Sequence, residues 1–298
     1  MTEKTNSYYW RLIRFGFILL TIVLFGSLVY FSYQGAQIYV HPPRTVPASD
    51  NNPAFFGTAY QEISLRTSDG LTLSAWFTPA ENGVIILAAH GYAGHRSAPL
   101  HAMLAEKGYG VISWDARAHG LSEGTLTSVG YYEYLDVEAA LTYALQQENV
   151  QHIGAIGQSM GGATLIMAAA KLPEIEAVVA DSAFPSLDDM VSRVVPFAPM
   201  RPFMQYFAAQ EFGIPIANIR PMDSIPLLSP RPVFLIQGLD DQVVPPDAAE
   251  RLYNNAEEPK QIWTQAGVDH VEMMVAYPAK YQQEVTDFFA TYLLEEGY

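Results

Sequence analysis

His152-Ile153-Gly154-Ala155-Ile156-Gly157-Gln158-Ser159-Met160-Gly161-Gly162 decides the reading of this chain. The first five residues form a short apolar run of the kind a buried strand shows, and residues 160–171 read as a helix. A serine stands at the junction, with a glycine two places to either side. A strand that turns directly into a helix forces its corner residue into a strained backbone geometry, and side chains two residues away would collide there. Gly157 and Gly161, with Gly162 behind them, remove that collision. The Ser159 hydroxyl is then lifted clear of the sheet, beside a helix N-terminus that favours negative charge. The bland alternative is a glycine-rich turn with an inert serine.

Working outward, strands and helices alternate. Residues 59–66 and 71–77 read as two strands joined by a turn at Ser68-Asp69-Gly70, the second with period-2 alternation. Near-continuous apolar runs follow at 84–89, 110–114, 152–156, 177–180 and 233–237, as expected of strands covered on both faces. Helical stretches lie near 98–107, 132–147, 160–171 and 279–294. The predicted fold class is α/β, a mostly parallel sheet with helices on both faces. Sites in such sheets form at the carboxyl ends of the strands, which is where Ser159 falls.

A serine hydroxyl needs a base, and the base needs an acid to orient it. His270, in Gly267-Val268-Asp269-His270, is the one histidine that follows Ser159. The acid is expected after the strand 233–237, in Gly238-Leu239-Asp240-Asp241-Gln242-Val243-Val244-Pro245. Two adjacent aspartates compete there, and neighbours cannot both face His270. Asp181, at the end of strand 177–180, is a third candidate.

With these residues in place, residues 58–298 resemble a serine hydrolase of the α/β-hydrolase superfamily. The resemblance implies an eight-stranded-type sheet and a Ser-acid-His chain order. It maps a family stretch G-x-x-D-x-x-V-P onto Gly238, Asp241, Val244 and Pro245, and so selects Asp241 as the acid. His90-Gly91-Tyr92-Ala93-Gly94 resembles the family's oxyanion loop, which implies the backbone N–H groups of Tyr92 and Met160 as donors to the developing oxyanion. Asp115-Ala116-Arg117-Ala118-His119-Gly120-Leu121-Ser122 resembles a loop whose polar residues brace their neighbours, and the His90 ring is read the same way. Residues 183–230 interrupt the sheet rhythm where relatives insert a cap. Met190, Val194, Phe197, Met200, Phe203, Met204, Tyr206, Phe207 and Phe212 there suit an inner face lining an apolar pocket.

The N-terminal segment is a different physical object. Residues 15–33 carry no charge, Arg11 and Arg14 precede them, and aromatic residues flank both ends. At about 1.5 Å per residue, such a helix nearly spans the ~30 Å hydrocarbon core. The expectation is a transmembrane anchor within residues 1–34, its N-terminus cytoplasmic and the catalytic domain on the outer side. A cleaved signal peptide is the rival, but the apolar run is long for one and ends in poor cleavage sites. Residues 35–57, with four prolines between 41 and 53, read as an extended tether.

Charge and composition narrow the function. The chain has 298 residues and a net charge of −15. That is the sum of a slightly basic first 34 residues and a strongly acidic remainder, which offers nucleic acid no footprint. It has no cysteine, so thiolate metal sites and a cysteine nucleophile are excluded. His95 and His101 lack partners at metal-ligand spacing, and no phosphate or dinucleotide loop is present, so neither metal nor cofactor is expected. The expected activity is hydrolysis of a small-molecule carboxylic ester with an apolar or lipid-like acyl group, through Ser159, His270 and Asp241. Alternatives are a thioesterase or serine peptidase of the same fold, and an inactive membrane-anchored binding module.

Overall fold

In the computed structural model, which describes residues 2–46, 48 and 51–294, the alternating pattern forms one eight-stranded sheet. The strands are β1 (Gln61–Arg66), β2 (Thr72–Thr78), β3 (Val84–Ala89), β4 (Gly110–Trp114), β5 (His152–Gln158), β6 (Ala177–Asp181), β7 (Val233–Gly238) and β8 (Lys260–Gln265). Their order across the sheet is β1-β2-β4-β3-β5-β6-β7-β8. β2 runs antiparallel to both of its neighbours, and all the later pairings are parallel. The expected α/β class and mostly parallel sheet are therefore found.

Residue type explains the layering. β3, β4, β6 and β7 are buried along their whole length, as their mainly apolar content leads one to expect. The outer pair β1 and β2 alternates: Leu73 and Ala75 are fully buried while Thr72 and Ser74 are half-exposed. One apolar layer joins α3 (Tyr134–Leu145), α4 (Met160–Ala169) and α8 (Ala248–Asn255) to one sheet face. The other joins α2 (Ala98–Ala105) and α10 (Pro278–Leu293) to the opposite face, through Leu100, Leu104, Val285 and Phe289.

Between β6 and β7 the chain leaves the sheet. It folds into α5 (Leu187–Val194), α6 (Arg201–Phe212), the single turn α7 (Pro221–Ser224) and short 3-10 turns. α5 starts on the Ser186 side chain, which accepts from Asp189 N–H, and α6 stops at Gly213, whose φ is 67°. A last short helix, α9 (Met273–Ala276), follows the loop that carries His270.

The N-terminal helix α1 runs from Thr2 to Val40 instead of ending at residue 34. No proline or turn signal occurs before Pro42, so nothing stops the helix earlier. Its apolar middle is exposed: Phe15, Phe17, Ile22 and Phe25 are all more than half accessible. Its last turns are not, since Ala36 and Val40 are buried. The segment expected as an extended tether is fastened to the body. Arg44 donates to the carbonyls of Gly120, Ser122 and Gly124, and Thr45 Oγ1 to Ala93 O. Residues 47, 49 and 50 of that segment lie outside the described residues.

Candidate active site

Ser159 sits between the end of β5 and the start of α4 with φ 51° and ψ −116°, a backbone region that L side chains rarely enter. It is pinned from both sides: its N–H donates to Asp181 O at 2.8 Å, and its carbonyl accepts from Ala163 N–H at 3.0 Å. The flanking glycines are required by contact. A Cβ on Gly157 would lie 2.5 Å from backbone atoms of Gly161 and Gly162, and one on Gly161 would lie 2.5 Å from Ala89 O.

The loop after β8 brings His270 to this corner. His270 Nε2 is 2.9 Å from Ser159 Oγ, and its Nδ1 is 2.7 Å from Asp241 Oδ2. Asp241 has no exposed surface, and its other oxygen accepts the N–H groups of Val243 and Val244 at 2.8 and 2.7 Å. With Asp241 as acceptor, the ring hydrogen lies on Nδ1 and Nε2 offers its lone pair to the serine hydroxyl. Of the other acidic candidates, Asp240 is exposed, and its backbone N–H donates to Val268 O. The Asp181 carboxylate accepts hydrogen bonds from Ser182 Oγ and Tyr281 Oη, both at 3.0 Å. Burial pushes its pKa up to about 6.

The loop after β3 arches over the serine. Gly91 is so close that a Cβ there would stand 3.2 Å from Ser159 Cβ. Tyr92 and Met160 both border the space in front of Ser159. Met160 is the first residue of α4, so its N–H has no partner within the helix.

The histidines nearby are held as scaffold. His90 Nδ1 donates to Gly91 O at 2.7 Å, and Nε2 accepts from Ala116 N–H at 2.9 Å. Burial, reinforced by His119, lowers its pKa to about 4, so the ring is neutral near pH 7. In the 115–122 loop, Asp115 accepts from the N–H groups of Arg96 and Leu121, and Arg117 pairs with Asp69 and Asp136.

Two spaces meet at Ser159. One is an apolar cavity of about 260 Å³, walled by Phe184, Val191 and Met204 among others. The other is a cleft of about 200 Å³ bordered by His95, Gln158 and His270. Among the described residues, no group of three or more His, Asp or Glu side chains stands close enough to hold a metal ion.

Three features escaped the sequence reading. Asp269 Oδ1 accepts the N–H groups of Gln242 and His270, tying the acid loop to the base loop, and these bonds lower its pKa. Arg193 of α5 donates to the carbonyls of Asp241 and Gln242, linking the cap segment to the acid loop. Finally, Ala36, Tyr39 and Val40 of α1 line the apolar cavity. The signal for Asp269 was a carboxylate next to the base; an apolar helix end carries no comparable signal.

Comparison with known proteins agrees with this fold. Residues 84–209 match the family described as alpha/beta hydrolase fold. The uncharacterised protein YfhR of Escherichia coli strain K12 is 28% identical over 246 residues, covering 78% of this chain and 81% of YfhR. The alpha/beta hydrolase domain-containing protein WAV2 of Arabidopsis thaliana is 27% identical over 248 residues, 79% of each chain. Among solved structures, the esterase Pf2001 of Pyrococcus furiosus superposes with a TM-score of 0.72 at 27% identity, covering 85% of this chain and 99% of the esterase. The chain has the alpha/beta hydrolase fold, and these matches support its placement in the α/β-hydrolase superfamily. The family match and these esterase neighbours support a hydrolase.

Proposed function

We propose that the protein is a membrane-anchored serine hydrolase that cleaves carboxylic esters with apolar acyl groups. The observation that carries this reading is the continuous relay from buried Asp241 through His270 to Ser159, opening onto an apolar cavity. As Ser159 Oγ attacks the acyl carbonyl, its proton passes to His270 Nε2, while Asp241 stabilises the charged ring. The carbonyl oxygen becomes negative and accepts hydrogen bonds from Tyr92 N–H and Met160 N–H. The C–O bond to the alcohol then breaks, His270 gives its proton to the leaving oxygen, and the acyl group stays on Ser159. Water enters, loses a proton to His270, and releases the acid by the same steps. The more polar cleft beside His95 and Gln158 suits the alcohol half of the ester.

The intact relay supports an active hydrolase over a binding module. Helix α1 is long and apolar enough to cross a membrane, and Arg11 and Arg14 at its start favour a cytoplasmic N-terminus. The burial of Ala36 and Val40 against the body favours a retained helix over a cleaved signal peptide, since cleavage would strip a wall from the cavity. The test is reaction with a fluorophosphonate probe, together with turnover of p-nitrophenyl esters of graded chain length. Labelling at Ser159 and turnover abolished by Ser159→Ala are expected. An unlabelled, inactive wild-type protein would sink the reading.

A further inference from the structure

The end of α1 is built into the site. Ala36, Tyr39 and Val40 form one wall of the apolar cavity, facing Val191, Met204 and Ala208 of the cap segment. The fit is close: a Cβ added at Gly35 would lie 3.1 Å from Met204 Cε. The same helix end is fastened to the loops around Ser159. Tyr92 Oη donates to Tyr39 O at 3.0 Å, and Val40 O accepts Thr127 N–H at 2.8 Å.

Upstream, α1 and α6 run side by side in the same direction. Phe25 meets Phe203, Tyr33 meets Phe207 and His41 meets Phe212, at ring-centroid distances of 5.8, 5.3 and 5.8 Å. This fixes the depth of the cap. If residues 15–33 span the bilayer, Phe25 lies about 12 Å inside the outer end of the span, at ~1.5 Å per residue. Phe203 therefore lies at acyl-chain depth. Phe197, just before α6, and Tyr206, beside Phe207, are 59% and 60% exposed. Arg201, at the start of α6, directs its guanidinium onto the carbonyls of Ser192 and Val195 at the end of α5, which suits an apolar setting.

We propose that α1 is a substrate-binding element as well as an anchor. In this proposal the substrate is an acyl ester resident in the outer leaflet, whose chain reaches Ser159 along the α1–α6 seam without crossing water. The occupant follows from continuity: the cavity wall and the lipid-facing surface belong to the same two helices. The proposal rests on the hydrolase reading above and assigns its substrate class.

The test uses the full chain reconstituted in phosphatidylcholine vesicles. A fluorogenic long-chain ester lipid is placed either in the same vesicles or in separate, protein-free ones, and a soluble butyrate ester is assayed in parallel. Hydrolysis at least tenfold faster for the lipid in the same bilayer is expected; equal rates in the two arrangements would overturn the proposal. Ala36→Trp, which narrows the cavity from the α1 side, should cut the ratio of dodecanoyl to butyryl ester turnover at least tenfold. An unchanged ratio would also overturn it. The vesicle comparison needs no variant, so misfolding of Ala36→Trp does not remove the test. Failure of fluorophosphonate labelling and of butyrate turnover would count against the hydrolase reading itself. Labelling and butyrate turnover without a same-bilayer preference would count against the bilayer route alone.

Discussion

The Tyr92 hydroxyl donates a hydrogen bond to the backbone carbonyl of Tyr39, 3.0 Å away, and so joins the loop over Ser159 to the last turn of α1. Burial raises the pKa of this hydroxyl to about 12, which keeps it protonated as a donor across the physiological range. The tie is local in space and remote in sequence. It gives the N-terminal helix a purchase on the backbone segment proposed to hold the oxyanion.

Tyr92→Phe keeps the ring and removes the tie. A single hydrogen bond of this kind contributes about 0.5–1.5 kcal/mol. The expected outcome is a small drop in Tm together with a kcat loss of about two- to tenfold on a soluble butyrate ester, KM changing less. Tyr92 would then act as a positioning residue through its own backbone. A lower Tm with unchanged kcat would reduce the tie to a purely structural one.

The relay predicts graded and non-additive losses. Ser159→Ala or His270→Ala should each reduce kcat by about 10⁴–10⁶-fold, and the double variant should lose little more. Asp241→Asn keeps the shape but offers an amide N–H to a ring that needs an acceptor, so a loss of about 10⁴-fold is expected. Single-turnover acylation with a chromogenic ester reads these values. Additive losses in the Ser159–His270 double variant would contradict a shared step.

Backbone strain at the corner makes a separate prediction about stability. At φ 51° and ψ −116°, glycine is unstrained where alanine is not. Ser159→Gly should therefore be more stable than Ser159→Ala by about 1 kcal/mol, although both are inactive. Gly161→Ala should behave oppositely, because its methyl group would meet Ala89 O at 2.5 Å and His90 O at 2.7 Å. A Tm drop with loss of probe labelling is expected, since the corner itself must move. Equal melting of Ser159→Gly and Ser159→Ala would show that the corner stores no strain.

Ser159 and His270 were legible in the sequence because their chemistry needs unusual local surroundings: two clearing glycines in one case, a lone histidine after the serine in the other. The choice between Asp240 and Asp241 was not settled by residue type. It turns on which of two neighbours faces inward, and the structure buries Asp241 completely while leaving Asp240 exposed. The strands were legible for a simpler reason, since an unbroken run such as Val84–Ala89 has few other uses. What could not be read was the part played by α1. Ala36, Tyr39 and Val40 continue an apolar helix without a break, and their partners Met204 and Ala208 lie far along the chain. Such contacts are set by how the cap folds back, and no local spacing encodes them.

Asp181 supplies the last prediction, a pH dependence with a definite sign. Its carboxyl is buried against Ser182 and Tyr281, and burial raises its pKa to about 6, above the ~3.9 expected in an unfolded chain. Between those values the folded state binds more protons than the unfolded state, so this group's contribution to stability falls as pH rises. It is fully present below about pH 4 and lost by the time pH has passed 6. The two-unit gap corresponds to at most about 3 kcal/mol. Asp181→Asn keeps an acceptor and removes the charge. Its stability relative to wild type should therefore increase from pH 4 to pH 7, by up to that amount. Urea unfolding of both proteins across this range measures the difference. A difference that stays flat, or that shrinks as pH rises, would mean that Asp181 ionises no less readily in the folded protein than in the unfolded chain.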